Sequence, residues 1–373
     1  MKRIVVIGGG FAGLSALHGL ARIKKQAEIV LIDHKQTFDF LPMLPDIVGR
    51  GIRPEFLTND LNRFSQKFWF QFINEHVEQI DTAQKSIRTV NQTIPYDYVV
   101  IASGSETNFY GDTAVEKNAY TLDSVADAEK ILAAVGTGAH ETIVVGGGGY
   151  TGIEIATNGW KYCQKKKLDK KVVIVERAPS VLGPLPEWMK RYCLNNLQKL
   201  GIDVFTDCVI ERIDQETISL SNGKNFPKAM LIWSAGVKTA DFVINLEAEK
   251  TRQGRISVDE FLRITDSCFI AGDTANFIFK DAPIRMGIQF AIAQGGLVAA
   301  NIIRSIAGKP LKRYAPVDLG YIIPMANNFS CGNIFGMNLA GKVPTMLHYV
   351  MCMYRSFGLR NKSGMLKDLS RPF

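Results

Sequence analysis

Two glycine-rich turns with the same spacing constrain this chain more than any other feature. The first follows the apolar run Ile4-Val5-Val6-Ile7, and the second follows Ile143-Val144-Val145. Each turn opens a segment compatible with a helix, and each is followed by a second apolar strand that ends in an acid. This order of strand, turn, helix, strand and acid is typical of dinucleotide-binding folds. The turn glycines are Gly8, Gly10 and Gly13 in the first copy and Gly147, Gly149 and Gly152 in the second.

The residue types in each turn match what a dinucleotide requires. The first glycine permits the tight turn, the second lets backbone N–H groups approach a pyrophosphate, and the third lets the helix pack close to the strand. The pyrophosphate then lies at a helix N-terminus, which favours anions. Asp33 and Glu176 end the second strands and are placed to accept hydrogen bonds from a ribose. The alternative, one nucleotide site and one accidental glycine turn, does not explain why the whole order repeats.

The repeat predicts an α/β fold with two Rossmann-like dinucleotide-binding domains and a C-terminal membrane-associating segment. A chain of 373 residues is long for one domain and comfortable for two. We expect the first domain to be discontinuous, since an apolar strand near residue 270 returns the chain to it. The predicted bounds are 1–112 with 246–325 for the first domain, 113–245 for the second, and 326–373 for the C-terminal segment.

The cysteines exclude one class of flavoprotein. The six residues are scattered and form no C-x-x-C pair, whereas flavin disulfide reductases with two adjacent redox cysteines need one near the first nucleotide fold. We expect most of them to be buried free thiols, and we expect no metal site. The N-terminus enters a strand directly, without a leader-like segment, which favours a cytoplasmic location.

The C-terminal segment combines a basic charge with an apolar helical face. From Gly341 onward the chain carries six basic residues and one acidic residue, within a net charge of +8. The apolar stretch is too short to span a bilayer and is interrupted by Arg355. A helix lying flat on a membrane, with Arg355, Arg360 and Lys362 toward the headgroups, fits better than a helix packed on the core or on a partner subunit. The predicted face contains Met346, Val350, Met353, Tyr354 and Phe357.

Taken together, these motifs resemble the type II NADH dehydrogenases, single-chain flavoproteins that pass electrons from NADH to a membrane quinone. The resemblance covers nearly the whole chain. Gly8-Gly9-Gly10-Phe11-Ala12-Gly13 with Asp33 is similar to the FAD turn of that family, and Thr151-Gly152-Ile153-Glu154 is similar to its NADH turn. Three further segments resemble its flavin-side loop, its strand facing the nicotinamide and its flavin-binding corner: Phe40–Pro45, Trp233–Val237 and Ala271–Asp273.

The resemblance implies FAD in the first domain, NADH as electron donor in the second, and a quinone as acceptor. A hydride would pass from NADH to FAD and two electrons would then pass to the quinone, without proton pumping. Glu154 and Gln289 would be the catalytic residues, although Glu154 is also explained as an acid favoured at a helix N-terminus. The implied cofactor-binding residues are Gly8, Gly10, Phe11, Ala12, Gly13, Asp33, His34, Pro45, Val77, Ser103, Gly104, Gly147, Gly149, Tyr150, Thr151, Gly152, Glu176, Ala235, Gly236, Gly272, Asp273 and Gln289.

Two departures from that family bear on specificity. The family carries two glutamines four residues apart near the flavin ring and quinone. Here Gln289 matches the first, while the second position is Ala293 and Gln294 falls one residue late. Because a helix advances about 100° per residue, Gln294 does not replace a glutamine at 293, so the acceptor pocket or its occupant is altered. Glu176 favours NADH over NADPH, and Arg177 beside it could soften that preference.

Two other functions are also compatible with the sequence. A sulfide:quinone reductase needs two cysteines that flank the flavin; Cys331 could be one, but Cys163 lies at the far end of its helix. A flavin-bound protein that senses NADH with slow turnover is also compatible with the altered glutamine pair. We expect a peripheral protein on the cytoplasmic face of the cell membrane, without nucleic acid as partner, and a homodimer is compatible with the sequence.

Overall fold

Two parallel β-sheets organise the chain in a computed structural model that describes residues 1–214 and 217–371. The predicted α/β class with Rossmann-like sheets is confirmed. Within the described residues the α-helices are α1 (Phe11–Leu20), α2 (Leu44–Gly49), α3 (Leu61–Phe68), α4 (Thr113–Asn118), α5 (Val125–Gly136), α6 (Tyr150–Lys166), α7 (Glu187–Lys199), α8 (Asp241–Ile244), α9 (Ile288–Ile306), α10 (Lys342–Arg355) and α11 (Leu359–Leu369).

The strands of the same residues are short outside the two parallel sheets. In chain order they are β1 (Lys2–Ile7), β2 (Ala27–Ile32), β3 (Thr37–Asp39), β4 (Thr58–Asp60), β5 (Gln71–Ile73), β6 (Val77–Asp81), β7 (Ser86–Thr89), β8 (Thr93–Pro95), β9 (Tyr98–Ile101), β10 (Glu106–Thr107), β11 (Ala119–Tyr120), β12 (Thr142–Gly146), β13 (Lys171–Val175), β14 (Asp203–Phe205), β15 (Ile210–Ile213), β16 (Thr217–Leu220), β17 (Asn225–Pro227), β18 (Ala229–Trp233), β19 (Val237–Lys238), β20 (Ile256–Ser257), β21 (Arg263–Thr265), β22 (Cys268–Ile270), β23 (Ala275–Asn276), β24 (Ile278–Phe279), β25 (Ala282–Pro283), β26 (Gly320–Ile323), β27 (Ser330–Ile334) and β28 (Met337–Gly341).

The chain folds into two compact units, each built from separate segments. The first unit contains Met1–Phe38, Asn59–Glu106 and Val237–Asp318. The second contains Asp39–Thr58, Thr107–Gly236 and Leu319–Phe373. These bounds group the segment before residue 59 and the C-terminal residues with the second glycine turn. The assignment of one cofactor to each predicted domain stays a prediction.

A six-stranded sheet forms the centre of the first unit, in the order β21-β22-β9-β1-β2-β5. Strand β1 pairs in parallel with β2 and β9, which places Ile7 beside Ile32 and Ile101. Only the edge strand β21 is antiparallel to its neighbour. The strands are nearly continuous runs of β-branched residues because both faces of a parallel sheet are covered. The common register brings the first glycine turn to the carboxyl edge of the sheet.

Helices α1 and α9 pack against each other at unusually short range in the first unit. A methyl group at Gly295 would lie 2.1 Å from the carbonyl oxygen of Ala12, closer than any real Cβ contact. The hydroxyl of Ser15 donates to the carbonyl oxygen of Ile292 at 2.7 Å, which ties the helices at the same crossing. The absence of a side chain at Gly295 therefore sets the distance between α1 and α9.

A five-stranded parallel sheet forms the centre of the second unit, in the order β11-β18-β12-β13-β14. Helix α2 packs on α6 through another glycine contact, because a methyl group at Gly49 would lie 2.7 Å from the Cα atom of Asn158. Strands β26, β27 and β28 form an antiparallel sheet in this unit. Strands β12, β13 and β18 are apolar over most of their length, as sheets covered on both faces require.

The C-terminal segment differs in detail from its predicted form. Strands β27 and β28 meet in a hairpin turn in which Phe335 and Gly336 both adopt positive φ. Helix α10 ends at Arg355, so Phe357 lies beyond the predicted helical face. A further helix, α11, follows and is held by Asp368, whose buried carboxylate pairs with Arg53 at 3.1 Å. Among the described residues no helix is both long and apolar enough to cross a bilayer.

The α1–α9 crossing predicts opposite effects at two neighbouring glycines. Gly295→Ala should destabilise the protein by about 1–3 kcal/mol because helix backbones must separate. Gly296→Ala is the matched control, since its methyl group would meet nothing closer than the Ser15 hydroxyl at 3.6 Å. That variant should be neutral or gain up to about 1 kcal/mol from helix propensity. Thermal unfolding followed by circular dichroism measures both, and equal melting temperatures would contradict the close approach.

Candidate functional site

The first glycine turn forms a tight cradle at the start of α1. Gly8 has a φ of +99°, and a methyl group there would lie 2.3 Å from the carbonyl oxygen of Ala102. A methyl group at Gly13 would lie 1.8 Å from the carbonyl oxygen of Gly8, so α1 is packed against its own turn. Gly10 has no atom within 4 Å of that position, and no side chain caps the N-terminus of α1. Unpaired N–H groups at an open helix N-terminus form an anion site.

Asp33 at the end of β2 fastens this turn. Its Oδ2 accepts the N–H of Gly9 at 2.6 Å and its Oδ1 accepts the N–H of Lys35 at 2.8 Å. The sequence predicted Asp33 as a ribose ligand but did not predict that its carboxylate also holds the turn backbone. Each carboxylate oxygen has a further lone pair, so both roles are compatible.

His34 and Val77 lie at the same edge of the first unit. The imidazole of His34 stacks on that of His76 with a centroid distance of 4.6 Å. The side-chain amide of Asn74 donates to the carbonyl oxygens of Asp33 and His34, both at 2.9 Å. Burial lowers the pKa of His34, against the opposing effect of Asp33. His76 is a neighbour of this predicted site that no sequence signal identified.

The ends of β9 and β22 bring four predicted cofactor-binding residues together beside the first turn: Ser103, Gly104, Gly272 and Asp273. The Ser103 hydroxyl lies 3.2 Å from that of Thr274, which in turn donates to the carbonyl oxygen of Gly104. A methyl group at Gly272 would lie 3.0 Å from the Cβ atom of Ala12 on α1. The predicted flavin-binding corner and the glycine turn are thus adjacent within one unit.

Asp273 is the acid of this corner. Burial raises its pKa, while a hydrogen bond from Ser105 at 3.2 Å and the charge of Arg255 oppose the shift. Arg255 donates to three backbone carbonyl oxygens around the corner, those of Asp273, Ala275 and Ile284. A buried arginine that satisfies three carbonyls fixes the backbone that carries Asp273.

The two glutamines on α9 occupy different environments. Gln289 donates its side-chain amide to Asp318 at 3.1 Å, and Asp318 also pairs with Arg285. Gln294 is buried, and its Oε1 accepts the N–H of Gly272 at 2.7 Å. Ala293 is exposed. The structure therefore places Gln294 away from the surface on which Ala293 lies, as the helix rotation predicted. Arg285 and Asp318 had no sequence signal.

The second glycine turn repeats the geometry of the first. Gly147 has a φ of +110°, and a methyl group there would lie 3.0 Å from backbone atoms of Ala235. A methyl group at Gly152 would lie 1.9 Å from the carbonyl oxygen of Gly147. Gly149 again opens to empty space, and no side chain caps α6, which begins with Tyr150 and Thr151. The second unit therefore has its own anion site at a helix N-terminus.

Glu176 holds the second turn as Asp33 holds the first. Its Oε2 accepts the N–H of Gly148 at 2.6 Å and its Oε1 accepts that of Ala178 at 2.8 Å. Gly236 has a φ of +108° and lies under the exposed Tyr110, because a methyl group there would be 2.0 Å from the phenolic oxygen. Tyr110 is therefore a neighbour of the predicted nicotinamide strand that the sequence did not reveal.

Glu154 lies one turn into α6 beside a buried acid of α2. Burial and the charge of Asp46 raise the pKa of Glu154 well above its ordinary value. Asp46 is 4% exposed, and burial raises its pKa as well. Its Oδ1 accepts the phenolic proton of Tyr349 at 2.8 Å and pairs with Arg50 at 3.1 Å. Two neighbouring acids in a buried site favour protonated carboxyl groups.

Two cations complete this cluster. Lys161 donates to the carbonyl oxygen of Ala326 at 2.7 Å, and Arg50 donates to the same oxygen at 3.1 Å. Burial, helped by Arg50, lowers the pKa of Lys161 to about 7. Pro45, predicted to contact the cofactor, is buried next to Asp46. We name Asp46, Arg50, Glu154, Lys161 and Tyr349 the buried polar cluster. Sequence reasoning identified only Glu154 of this set.

The cysteines are buried free thiols in the described part of the chain. The Sγ atoms of Cys193 and Cys331 lie 3.5 Å apart between α7 and β27. Cys163 is 2% exposed in the core of the second unit. Cys331 therefore packs against another thiol of the same unit.

One side of α10 is exposed and apolar. The exposed side chains are spaced as one helical face, and we name this surface the apolar face of α10. Two further apolar side chains, Leu359 and Leu366, are exposed in the following segment. The opposite side of α10 buries Cys352 and carries Tyr349 toward Asp46. The apolar face consists of Val343, Met346, Val350 and Tyr354.

Two parallel sheets, each with an uncapped glycine turn and a clamping acid, define a protein with two dinucleotide-binding folds in one chain. The sequence pattern of the pyridine nucleotide-disulphide oxidoreductases matches residues 2–295. The chain belongs to this family. It lacks the adjacent cysteine pair that gives the family its name.

One curated relative is similar in sequence, and two solved structures share the fold, over nearly the whole chain. The chain is 24% identical to the type II NADH:quinone oxidoreductase of Staphylococcus aureus, an alignment that covers 94% of each protein. NDH2 from Plasmodium falciparum, solved with NADH, superposes with a TM-score of 0.88 at 15% identity, over 99% of this chain and 97% of that one. The sulfide:quinone oxidoreductase of Aquifex aeolicus superposes with a TM-score of 0.80 at 20% identity, over 98% and 92% of the chains.

The lowered pKa of Lys161 predicts how stability depends on pH. Its folded pKa is about 7 against an ordinary value of 10.5, so between these values the unfolded chain binds more protons and stability rises with pH. Relative to Lys161→Met, the wild-type protein should therefore gain free energy of unfolding as pH increases from neutral, at up to about 1.4 kcal/mol per pH unit.

Urea unfolding at several pH values measures this difference. Lys166→Met on the same helix is the control, because Lys166 is exposed. Its difference from the wild-type protein should stay constant with pH. A constant difference for Lys161→Met as well would mean that this amine stays protonated in the folded protein.

Proposed function

We propose that this protein is an FAD-dependent NADH:quinone oxidoreductase that works at a membrane surface. The observation that carries the proposal is the pair of uncapped helix N-termini at Gly10 and Gly149, which provides two pyrophosphate sites in one chain. The curated relative from Staphylococcus aureus, which has this activity in its name and aligns over 94% of each protein, supports the same conclusion.

The residues around the first turn fit FAD. Gly10 leaves open space where a pyrophosphate would approach the backbone, and Asp33 keeps acceptor capacity for a ribose. Asp273 is half-buried and accepts few hydrogen bonds, which suits a hydroxyl-rich ligand such as a ribityl chain. FAD, when bound, supplies an acceptor for the hydride of NADH and a donor of electrons to the quinone. Phe11, Ala12, His34, Val77, Ser103 and Gly104 would line its site.

The second turn would hold NADH. Glu176 already clamps the turn through Gly148, and a carboxylate at this place repels the 2′-phosphate of NADPH. Glu154, whose pKa is raised, would act as a protonated group near the nicotinamide that orients the ring and holds a proton. Ala235 and Gly236 lie at the same edge, Ala235 against the turn at Gly147 and Gly236 under the phenol of Tyr110.

Gln289 would orient the acceptor through its amide, held by Asp318 and Arg285. The small, exposed Ala293 leaves this surface without a second amide. A sulfide:quinone reductase is less well supported, because Cys331 packs on Cys193 and Cys163 is buried in the core. Sulfide added without NADH should then leave the flavin oxidised.

Rapid mixing of the purified protein with NADH and then with a short-chain quinone tests this function. We expect fast bleaching of the flavin absorbance by NADH and its rapid return with quinone. Fast bleaching without return would refute quinone reduction and favour a sensor of NADH.

Two alanine variants separate the sites in the same assay. Gly10→Ala and Gly149→Ala leave the protein interior unchanged, because nothing lies within 4 Å of either new methyl group. Gly10→Ala should fold but purify without FAD. Gly149→Ala should retain FAD and raise the KM for NADH about tenfold or more, since the methyl group displaces the pyrophosphate. Loss of FAD from Gly149→Ala alone would reverse the assignment of the two turns.

The apolar face of α10 supports peripheral attachment to the cytoplasmic face of the cell membrane. Val350 is 47% exposed in the middle of this face, and the surrounding segment is basic. A basic amphipathic helix binds anionic bilayers through buried apolar area and charge attraction.

Placing one acidic side chain in the apolar face of α10 tests this attachment. Val350→Asp should lower co-flotation with anionic liposomes severalfold, because a carboxylate enters the apolar face. Val90→Asp is the control, since Val90 is 61% exposed in a turn of the first unit. Binding that survives Val350→Asp unchanged would place the membrane contact elsewhere.

A further inference from the structure

We propose that Asp46 and Tyr349 form a proton relay that supplies the acceptor during turnover. The proposal rests on the proposed function, since it needs a quinone as acceptor. The phenolic oxygen of Tyr349 lies 2.8 Å from Oδ1 of Asp46, which joins α10 to α2 by a direct hydrogen bond within the second unit. Neither residue had a sequence signal, and neither is assigned by the resemblance.

The proton balance of the reaction requires such a source. NADH gives up a hydride, which carries two electrons and one proton. A quinone takes up two electrons and two protons to become a quinol. One proton per turnover must therefore come from the solution, in the sum NADH + H⁺ + quinone giving NAD⁺ + quinol.

The cluster can hold and pass that proton. A protonated Asp46 carboxyl becomes a donor, and Tyr349 then accepts from it while its own O–H turns toward another acceptor. The phenol O–H bond breaks as a quinone oxygen takes its proton, and the Asp46 O–H bond breaks as the phenol is reprotonated. Asp46 then takes a proton from Glu154, the other acid beside it, and Glu154 takes one from solution. No other oxidant or reductant is consumed.

The position of Tyr349 fits a lipid-soluble acceptor. Tyr349 lies on the helix whose opposite side is the apolar face that we assign to the membrane. A quinone that leaves the bilayer beside this face would pass along α10. A proton donor on this helix is therefore close to the path of the acceptor.

The charges around the relay come from three helices. Arg50, directly after α2, pairs with Asp46 and lies under the ring of Tyr349 at 4.9 Å. Lys161 and Glu154 face Asp46 from α6, and Cys352 faces both Asp46 and Tyr349 from α10. Burial raises the pKa of Asp46 and keeps Tyr349 protonated far above neutral pH. Asp46 therefore keeps its proton at a higher pH than an exposed carboxyl group does, and Tyr349 keeps its own as well.

Tyr349→Phe isolates the hydroxyl, because it keeps the ring on Arg50 and removes only the donor. We expect kcat with a short-chain quinone to fall about tenfold or more, as loss of a general acid does. The KM for quinone should stay within about twofold. Turnover with ferricyanide, which takes electrons without protons, should be unchanged. A folded Asp46→Asn variant should likewise lose kcat with quinone and keep its turnover with ferricyanide.

Two readouts distinguish a relay from a structural role. The quinone rate of Tyr349→Phe should fall with rising pH more steeply than that of the wild-type protein, because solution protons must replace the relay. Rising imidazole concentration at constant pH should restore part of the rate. Tyr162→Phe on α6 is the control, with unchanged rates for both acceptors.

Each other outcome overturns the relay. An unchanged quinone kcat in Tyr349→Phe excludes it, and an equal loss with ferricyanide assigns Tyr349 a structural role. A raised KM without rescue by imidazole assigns it to quinone binding. A wild-type protein that reduces ferricyanide but no quinone refutes the proposed function as well, so the two failures are distinguishable.

Discussion

The contact between the third glycine of each turn and the carbonyl of the first is the constraint on which both nucleotide folds depend. At Gly13 and at Gly152 the space for a side chain is filled by a backbone oxygen, so the helix begins directly against its own strand. This contact aims the uncapped N–H groups of α1 and α6 at open space. Any side chain there would move the helix and the anion site together.

The two acids that hold the glycine turns add a second constraint. Asp33 and Glu176 are joined to the turns by hydrogen bonds of 2.6 Å, although each comes from the next strand. A turn held by a charge-assisted bond is rigid before any ligand arrives, so less ordering is needed on binding. The acid at the end of the second strand is therefore part of the cradle as well as a candidate ribose ligand.

Local patterns predicted the nucleotide folds, because strand, turn and helix are encoded within about thirty residues. The α/β class and the geometry around Gly8 and Gly147 follow from that signal. The predicted flavin-binding corner at Asp273 required the resemblance, since a Gly-Asp pair alone is a common turn. Asp46, Arg50 and Lys161 were not predictable, because their meeting depends on how α2 and α6 pack. The hairpin between β27 and β28 was not predictable either, since its turn residue Phe335 is not a usual turn former.

The two sides of α10 explain why so many charges are buried behind it. An amphipathic helix that offers Val343, Met346, Val350 and Tyr354 outward must turn its other side toward the protein. That side carries Tyr349, whose hydroxyl would be unsatisfied in an apolar core. Asp46 satisfies it, Arg50 pairs with Asp46, and the carbonyl of Ala326 accepts from Arg50 and Lys161. The polar groups behind α10 therefore follow from the chain of partners that begins at the hydroxyl of Tyr349.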